Sequence, residues 1–447
     1  MSKRIYKIGV VTLGMLIVFF FIAKINGVKN GEVIEVNYVG DMERENEKQS
    51  VEEVEDGENI SDSKEVEIEN ANIRVLIRDD NFIHNTHTEI ILSAESGLQI
   101  SSVDGIEICD SYTFTLEDEK LMGASIQIST LNQEEKIVVE SLERSYGTPE
   151  YYGIFEIYKD GDSLILINEV ELELYLRGVL PSEMPASYEL EALKAQAVCA
   201  RSYAYNHMET YNYPEYNAHI DDSTSYQVYN NLAENEACNQ AIEDTKNEKV
   251  TVNGAVVTTY FFSTSCGYTT DIEAWGTETT EDNAYLQGVE VSDGKEDYEK
   301  DLAWYRWSVT LDESMMLEIL EENLSTDFGD LESVKVVQRG TGNIALCLEV
   351  VGTKETVFVE TENKIRTALG STSYIIERQD GSEVQGSILL PSAFIELEYL
   401  SGQYLITGGG YGHGVGMSQN GANEMAKSGL NYKEILNKFY NGVEIVE

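Results

Sequence analysis

One acidic side chain stands where a proton donor would need it. Glu183 lies in Leu180-Pro-Ser-Glu-Met-Pro185, between two prolines and beside a methionine. Proline fixes φ and removes a backbone donor, so the pair predicts a rigid turn. The apolar collar predicts a desolvated carboxyl, whose pKa rises because water no longer stabilises its charged form. A carboxyl still protonated near neutral pH can give its proton to a glycosidic oxygen. The alternative is structural: Glu183 stands just ahead of a helix, where negative charge is favourable whatever its chemistry.

A second run, Gly408-Gly-Gly-Tyr-Gly-His413-Gly-Val-Gly-Met-Ser418-Gln419-Asn-Gly-Ala422, would let backbone approach a ligand closely. It fits neither dinucleotide nor P-loop spacing, and no lysine follows to meet phosphate. A cleft for a neutral sugar polymer suits it better, with His413, Ser418 and Gln419 as hydrogen-bonding groups; the alternative is a tight loop with His413 bonded structurally. A third run, Tyr260-Phe-Phe-Ser-Thr-Ser265-Cys266-Gly-Tyr-Thr-Thr270, leads to Trp275. Cys266 at a strand end reads as an inert thiol rather than a nucleophile. Trp275 either stacks on a sugar ring or fills core. The five histidines show no metal-ligand spacing, and no cofactor is expected.

The elements that must position these groups are legible in part. A strong helix follows Glu183, with Ser187 as its expected cap and Glu189 and Glu191 in its first turn. Leu190, Leu193, Ala197, Ala200 and Ala204 predict its buried stripe. Lys194 and Arg201 share another face, two turns apart, where they could stabilise an ionised Glu183. Upstream, 72–173 is β-rich, with strands expected at Asn72–Ile77, Thr88–Ser93, Lys136–Val139 and Ser163–Asn168. Residues 250–263 read as strands around an Asn253-Gly254 hairpin turn. Residues 285–400 alternate short strands with one helix, 312–324. Two short helices close the chain, 417–427 and one begun by a capping box at Asn431 and Glu434.

The whole chain of 447 residues carries 80 acidic and 31 basic side chains, a formal charge of −49, which argues against nucleic acid as a partner. Five widely spaced cysteines exclude a disulfide-dense scaffold and read as buried thiols, with one bridge left open. Residues 8–25 form an apolar run after Lys3, Arg4 and Lys7. They are expected to anchor the chain in a membrane, with residues 1–7 cytoplasmic and the remainder exported. A cleaved signal peptide is the rival reading. Residues 26–71 read as an acidic disordered tether, since 41–70 hold thirteen acidic side chains against three basic ones.

Together the segments Glu171–Pro185, Glu191–Ala204, Ser223–Tyr229, Phe262–Gly267 and Gly410–Ala422 resemble the stage II sporulation protein D family, in family order, over roughly 72–447. The resemblance implies an α+β fold: a β-rich mixed catalytic domain, one long helix after the catalytic turn, and a second α/β lobe at about 285–400. It also implies a membrane-anchored lytic transglycosylase acting on peptidoglycan glycan strands stripped of stem peptides. The expected setting is forespore engulfment, beside a cell-wall amidase and stage II sporulation proteins P and M. Glu183 matches the family's catalytic glutamate. Lys194, Gln196, Arg201, Tyr203, Ser265, His413, Ser418 and Gln419 fall in the motif regions and would line the cleft. Some relatives bind zinc in the loop after the helix, but 218–229 here has no cysteine and none is expected. Tyr268 stands where a second glycine is frequent, which would narrow the groove. A branch of the family linked to stimulating an amidase supplies the alternative of a non-catalytic glycan binder.

Overall fold

The computed structural model describes residues 72–121 and 125–447. The expected anchor at 8–25 and tether at 26–71 lie outside them. Among the described residues no helix is long and apolar enough to cross a membrane.

The N-terminal half is built on a nine-stranded sheet, antiparallel except where Asn72–Ile77 meets Ile220–Asp221. Side-chain alternation sorts its two faces. Ile73, Val75 and Ile77 join the main core with Leu164 and Leu166. Leu76 packs instead with Ile165, Ile167 and Ala218 in a small cluster on the other face. The expected strand at 88–93 is the start of a longer one, Glu89–Ser102, whose pairing shifts register between Ser93 and Leu98. That irregularity lets one strand pair Ile137–Val139 at one end and Ile126–Thr130 at the other.

Helices α1 (Leu172–Glu183), α2 (Leu190–His207) and α3 (Glu236–Asp244) follow, with α6 (Gln419–Lys427) and α7 (Tyr432–Phe439) at the end of the chain. Between them α4 (Glu313–Leu324) and α5 (Glu362–Leu369) belong to a second core. That core lies under a five-stranded and a three-stranded sheet spanning Trp307–Gly408 and includes Trp307, Phe328, Leu348 and Ile406. The fold is therefore mixed α+β.

Two local expectations need correction. Glu183 is not on a turn: α1 runs through Pro181 and ends at Glu183. The stop is Pro185, which pushes the preceding Met184 into an extended conformation at φ −129° and ψ 138°. Ser187 does not cap α2 either; its N-cap position is Glu189, and Leu190 is 38% exposed rather than in the stripe. The Asn253-Gly254 turn has positive φ at both residues, 52° and 83°, as a two-residue hairpin of this hand requires. Asn431 and Glu434 close their capping box on α7.

α2 is buried from Ala192 to Ala204 except at Lys194, and its alanines let α1, α3, α6 and α7 approach. Arg201 lies inside this packing. Its Nε and one Nη donate to the two carboxylate oxygens of Glu173 on α1, at 2.6 and 2.8 Å, and further N–H groups reach the carbonyls of Ile242 and Glu248. A buried charge this fully paired is costly to orphan. Replacing Arg201 with methionine strands Glu173 and should lower unfolding free energy by about 3 kcal/mol, measured by urea denaturation.

Candidate active site

The site is set by where a loop meets the last turns of α1. Gly178 presents no side chain there: a Cβ would fall 2.4 Å from Asn230 Oδ1 and 2.6 Å from the Tyr229 ring. The gap admits Asn230, whose N–H donates to the Gly178 carbonyl at 3.1 Å. One turn on, Ser182 Oγ donates to the same carbonyl at 2.7 Å and accepts from the N–H groups of Asn231 and Leu232. With the loop so clamped, Val228 N–H donates to Glu183 Oε1 at 2.6 Å. Behind it, Asp221 and Asp222 are fully buried; Asp221 accepts from Tyr213 and Ser223, and Asp222 pairs with Arg144 at 2.8 Å.

Two influences act on the Glu183 carboxyl. Burial raises its pKa and the Val228 hydrogen bond lowers it, leaving it at about 7. The residue keeps partial solvent access, as a proton donor must. From α6, Gln419 Nε2 donates to the Glu183 backbone carbonyl at 2.9 Å and fixes the helix end.

The other residues expected in the cleft divide sharply. Tyr203, almost buried, stands close enough to Glu183, Tyr226 and Tyr260 to feel their charges. Gln196 lies on the same stripe of α2 as Tyr203, seven residues away. It is fully buried, and neither end of its carboxamide has a hydrogen-bond partner. His413 is bonded at both ring nitrogens, Nε2 to the Phe261 carbonyl at 2.9 Å and Nδ1 to the Val415 N–H at 3.1 Å. That arrangement fixes the neutral form with its proton on Nε2, and burial lowers its pKa to about 4. What it can offer a ligand is the ring.

Four residues do not serve as expected. Arg201 is committed to Glu173 inside the core. Lys194 pairs with Glu191 and Asp244 at 3.1 and 3.0 Å, on the α3 side of α2. Both cations are thus engaged by partners on a face of α2 other than that of Gln196 and Tyr203. Ser265 and Ser418 are buried and hold Glu299: Ser265 N–H and Ser418 Oγ donate to its Oε1 at 2.9 and 2.8 Å, and Ser265 Oγ to its Oε2. Burial raises the Glu299 pKa to about 7. Sequence reasoning passed over Glu299, since Asp297-Tyr-Glu-Lys-Asp301 reads as an exposed charged run. This node ties the glycine-rich loop to the strand Phe261–Phe262. The loop's close approach is to that neighbour, not to a ligand: at Gly416, φ is 78° and a Cβ would sit 2.0 Å from the Tyr260 carbonyl oxygen. Cys266 has its thiol pushed up to about 11 by burial, which removes thiolate chemistry. Two surface depressions lie elsewhere, around Ser308 and Tyr374 and around Asp80 and Glu140. Neither offers convergent chemistry, whereas a polymer needs an open groove.

The family profile described as stage II sporulation protein matches residues 160–252, which contain α1, α2 and the loop carrying Val228. Over 295 residues the chain is 29% identical to stage II sporulation protein D of Bacillus subtilis, covering 63% of this chain and 76% of that one. An uncharacterized protein of Brachyspira hyodysenteriae is 32% identical over 299 residues, 67% of this chain and 73% of its own. The chain belongs to the stage II sporulation protein D family. It is also 28% identical to the amidase enhancer of Bacillus subtilis, spanning 60% of this chain and 40% of that protein. Residues 263–416 match a profile for a domain of unknown function. In this member of the stage II sporulation protein D family, that region supplies Glu299, Trp275 and His413, while Glu183 and its clamp come from the first profile.

Two expectations follow. A folded Glu183 keeps its proton to about pH 7, whereas an unfolded glutamate loses it near ~4.3. The folded state thus binds more protons between those values, and stability falls as pH rises through them. Glu183→Gln removes that loss: thermal melts should show it more stable than wild type by about 1–3 kcal/mol above pH 7 and equal below pH ~4. Gly178→Ala should push the loop off α1 and cost about 2 kcal/mol or more, with the site's pKa shifted because Val228 N–H no longer reaches Glu183.

Proposed function

We propose that this chain is a lytic transglycosylase cutting peptide-free peptidoglycan strands between N-acetylmuramic acid and N-acetylglucosamine, with Glu183 as acid and then base. The observation that carries the reading is a single partly accessible carboxyl poised at about pKa 7, with the aspartates of the adjoining loop buried and committed to other partners. A glycoside hydrolase ordinarily needs two carboxyl groups flanking the bond. One suffices when the sugar supplies its own nucleophile.

Protonated Glu183 gives its proton to the bridging oxygen as the C1–O bond breaks. The C6 hydroxyl of the muramoyl unit then closes on C1 and returns its proton to the carboxylate, leaving a 1,6-anhydro end and the acid restored. Between the steps the carboxylate is held by the Val228 N–H; Lys194 and Arg201 take no part. The apolar run at 8–25 would hold the chain in a membrane with the site on the outer side, and the family points to forespore engulfment beside stage II sporulation proteins P and M.

A second reading has its own support in the likeness to an amidase enhancer: the groove would bind glycan and present it to a cell-wall amidase without cutting.

The decisive comparison is wild type against Glu183→Gln on peptide-free strands, with products read by mass. Wild type should release anhydro-ended fragments at rates declining above about pH 7, and the variant should lose ~10²-fold or more. Products carrying an added water would replace the mechanism, and unchanged cutting by the variant would remove Glu183 from it.

A further inference from the structure

Beside Glu183 runs a row of aromatic rings that the chemistry above does not use. Starting from the loop, Tyr226 stands edge-on to His207 at 5.5 Å between centroids, and His207 meets Tyr203 at 4.4 Å. Tyr203 meets Tyr260 at 6.1 Å, Tyr260 meets Trp275 at 4.8 Å, and Trp275 meets His413 at 5.2 Å. Tyr226, Tyr260, Trp275 and His413 all keep part of their surface exposed. These rings come from five separate stretches of chain, so the row is a product of the fold.

Trp275 differs from the rest in how it is held. It ends a short 3₁₀ turn, Ile272–Trp275, closed by Gly276 at φ 77°. Its indole Nε1 donates to Glu362 Oε1 at 3.2 Å, and Glu362 Oε2 pairs with Arg366 at 3.3 Å. Glu362 is only 2% exposed and opens α5, which belongs to the second core, whereas the Trp275 ring packs on the first. A buried carboxylate that pairs with Arg366 and also orients one partly exposed indole is a costly arrangement for a ring that only fills space. In a chain of net charge −49, the row itself carries no acidic group, and neutral His413 adds no charge. An electron-rich ring face attracts the polarised C–H bonds on the apolar face of a pyranose and tolerates its uncharged N-acetyl group.

We propose that Trp275 is a sugar-stacking platform, oriented by Glu362 as a positioning residue, that grips an uncharged amino-sugar unit of the strand away from the bond at Glu183. The proposal rests on the glycan-groove reading above. The platform acts on strand binding, not on proton transfer.

Binding is measured with the full chain carrying Glu183→Gln, so that strands stay intact, using N-acetylglucosamine oligomers of increasing length in calorimetry and by tryptophan fluorescence. The parent should bind longer oligomers more tightly, with a change in fluorescence. Adding Trp275→Ala should weaken the long oligomers at least ~10-fold and abolish most of that change. Trp275→Phe, which keeps a smaller ring and guards against loss of fold, should weaken them about threefold. Glu362→Ala should weaken binding, and Glu362→Gln, whose amide oxygen can still accept from Nε1, should restore it. A parent that binds no oligomer overturns the glycan reading itself. A parent that binds, with both Trp275 variants equal to it, overturns only the platform. Glu362→Ala equal to the parent removes the positioning role.

Discussion

Burial and one hydrogen bond act in opposite directions on the Glu183 carboxyl, and the remainder of the site exists to hold that opposition in place. Full exposure would leave an ordinary glutamate, ionised at neutral pH and unable to donate. Burial without the Val228 N–H would leave an acid with nothing to receive its charge once the proton had gone. The loop supplying that N–H is in turn fixed by absences and small groups: no side chain at Gly178, and a hydroxyl at Ser182 that both donates to and accepts from the backbone. The interaction is local, but its geometry is owed to a loop some forty-five residues further along the chain.

Cations play a different part from the one charge patterning suggests. In a chain so acidic, a lysine and an arginine on the helix beside the acid invite an electrostatic role in catalysis. The structure spends both on holding α2 to its neighbours. Arg201 fits Glu173 through the fork of its guanidinium, a match a lysine could not reproduce. Glu299 is the acidic counterpart: a carboxyl enclosed by two serines, clasping the glycine-rich loop to the strand beside it. Buried charged groups thus make the frame around Glu183 and the aromatic rings beside it.

The second core enters this arrangement at its border. Glu362 on α5 reaches Trp275, and the 263–416 stretch supplies both Glu299 and the first part of the glycine-rich loop. The acid, the glycine-rich loop and Trp275 therefore share the first apolar core, and the second reaches the row of rings through Glu362.

Sequence alone determined what depends on neighbours in the chain. The Asn253-Gly254 turn, the capping box at Asn431 and Glu434, the strand at Asn72–Ile77 and the helix body after Glu183 all follow from local propensity and short-range hydrogen bonds. The residues adjacent to Glu183 left it open between an acid and a favourable charge beside a helix, and its place among the family's motifs, not its neighbours, singled it out. What the sequence could not decide was which polar residues face the groove. Lys194, Arg201, Ser265 and Ser418 have the same chemistry whether they meet a ligand or a buried partner, and their partners lie 28 to 153 residues away or on a neighbouring helix. Glu299 was hidden among surface-like charges for the same reason. Helix α1 was missed because Pro181 argues against a helix locally, while packing against the sheet and the loop outweighs that preference. Tertiary structure decides such roles because burial and pairing are properties of distant segments brought together, and no pattern along the chain encodes them.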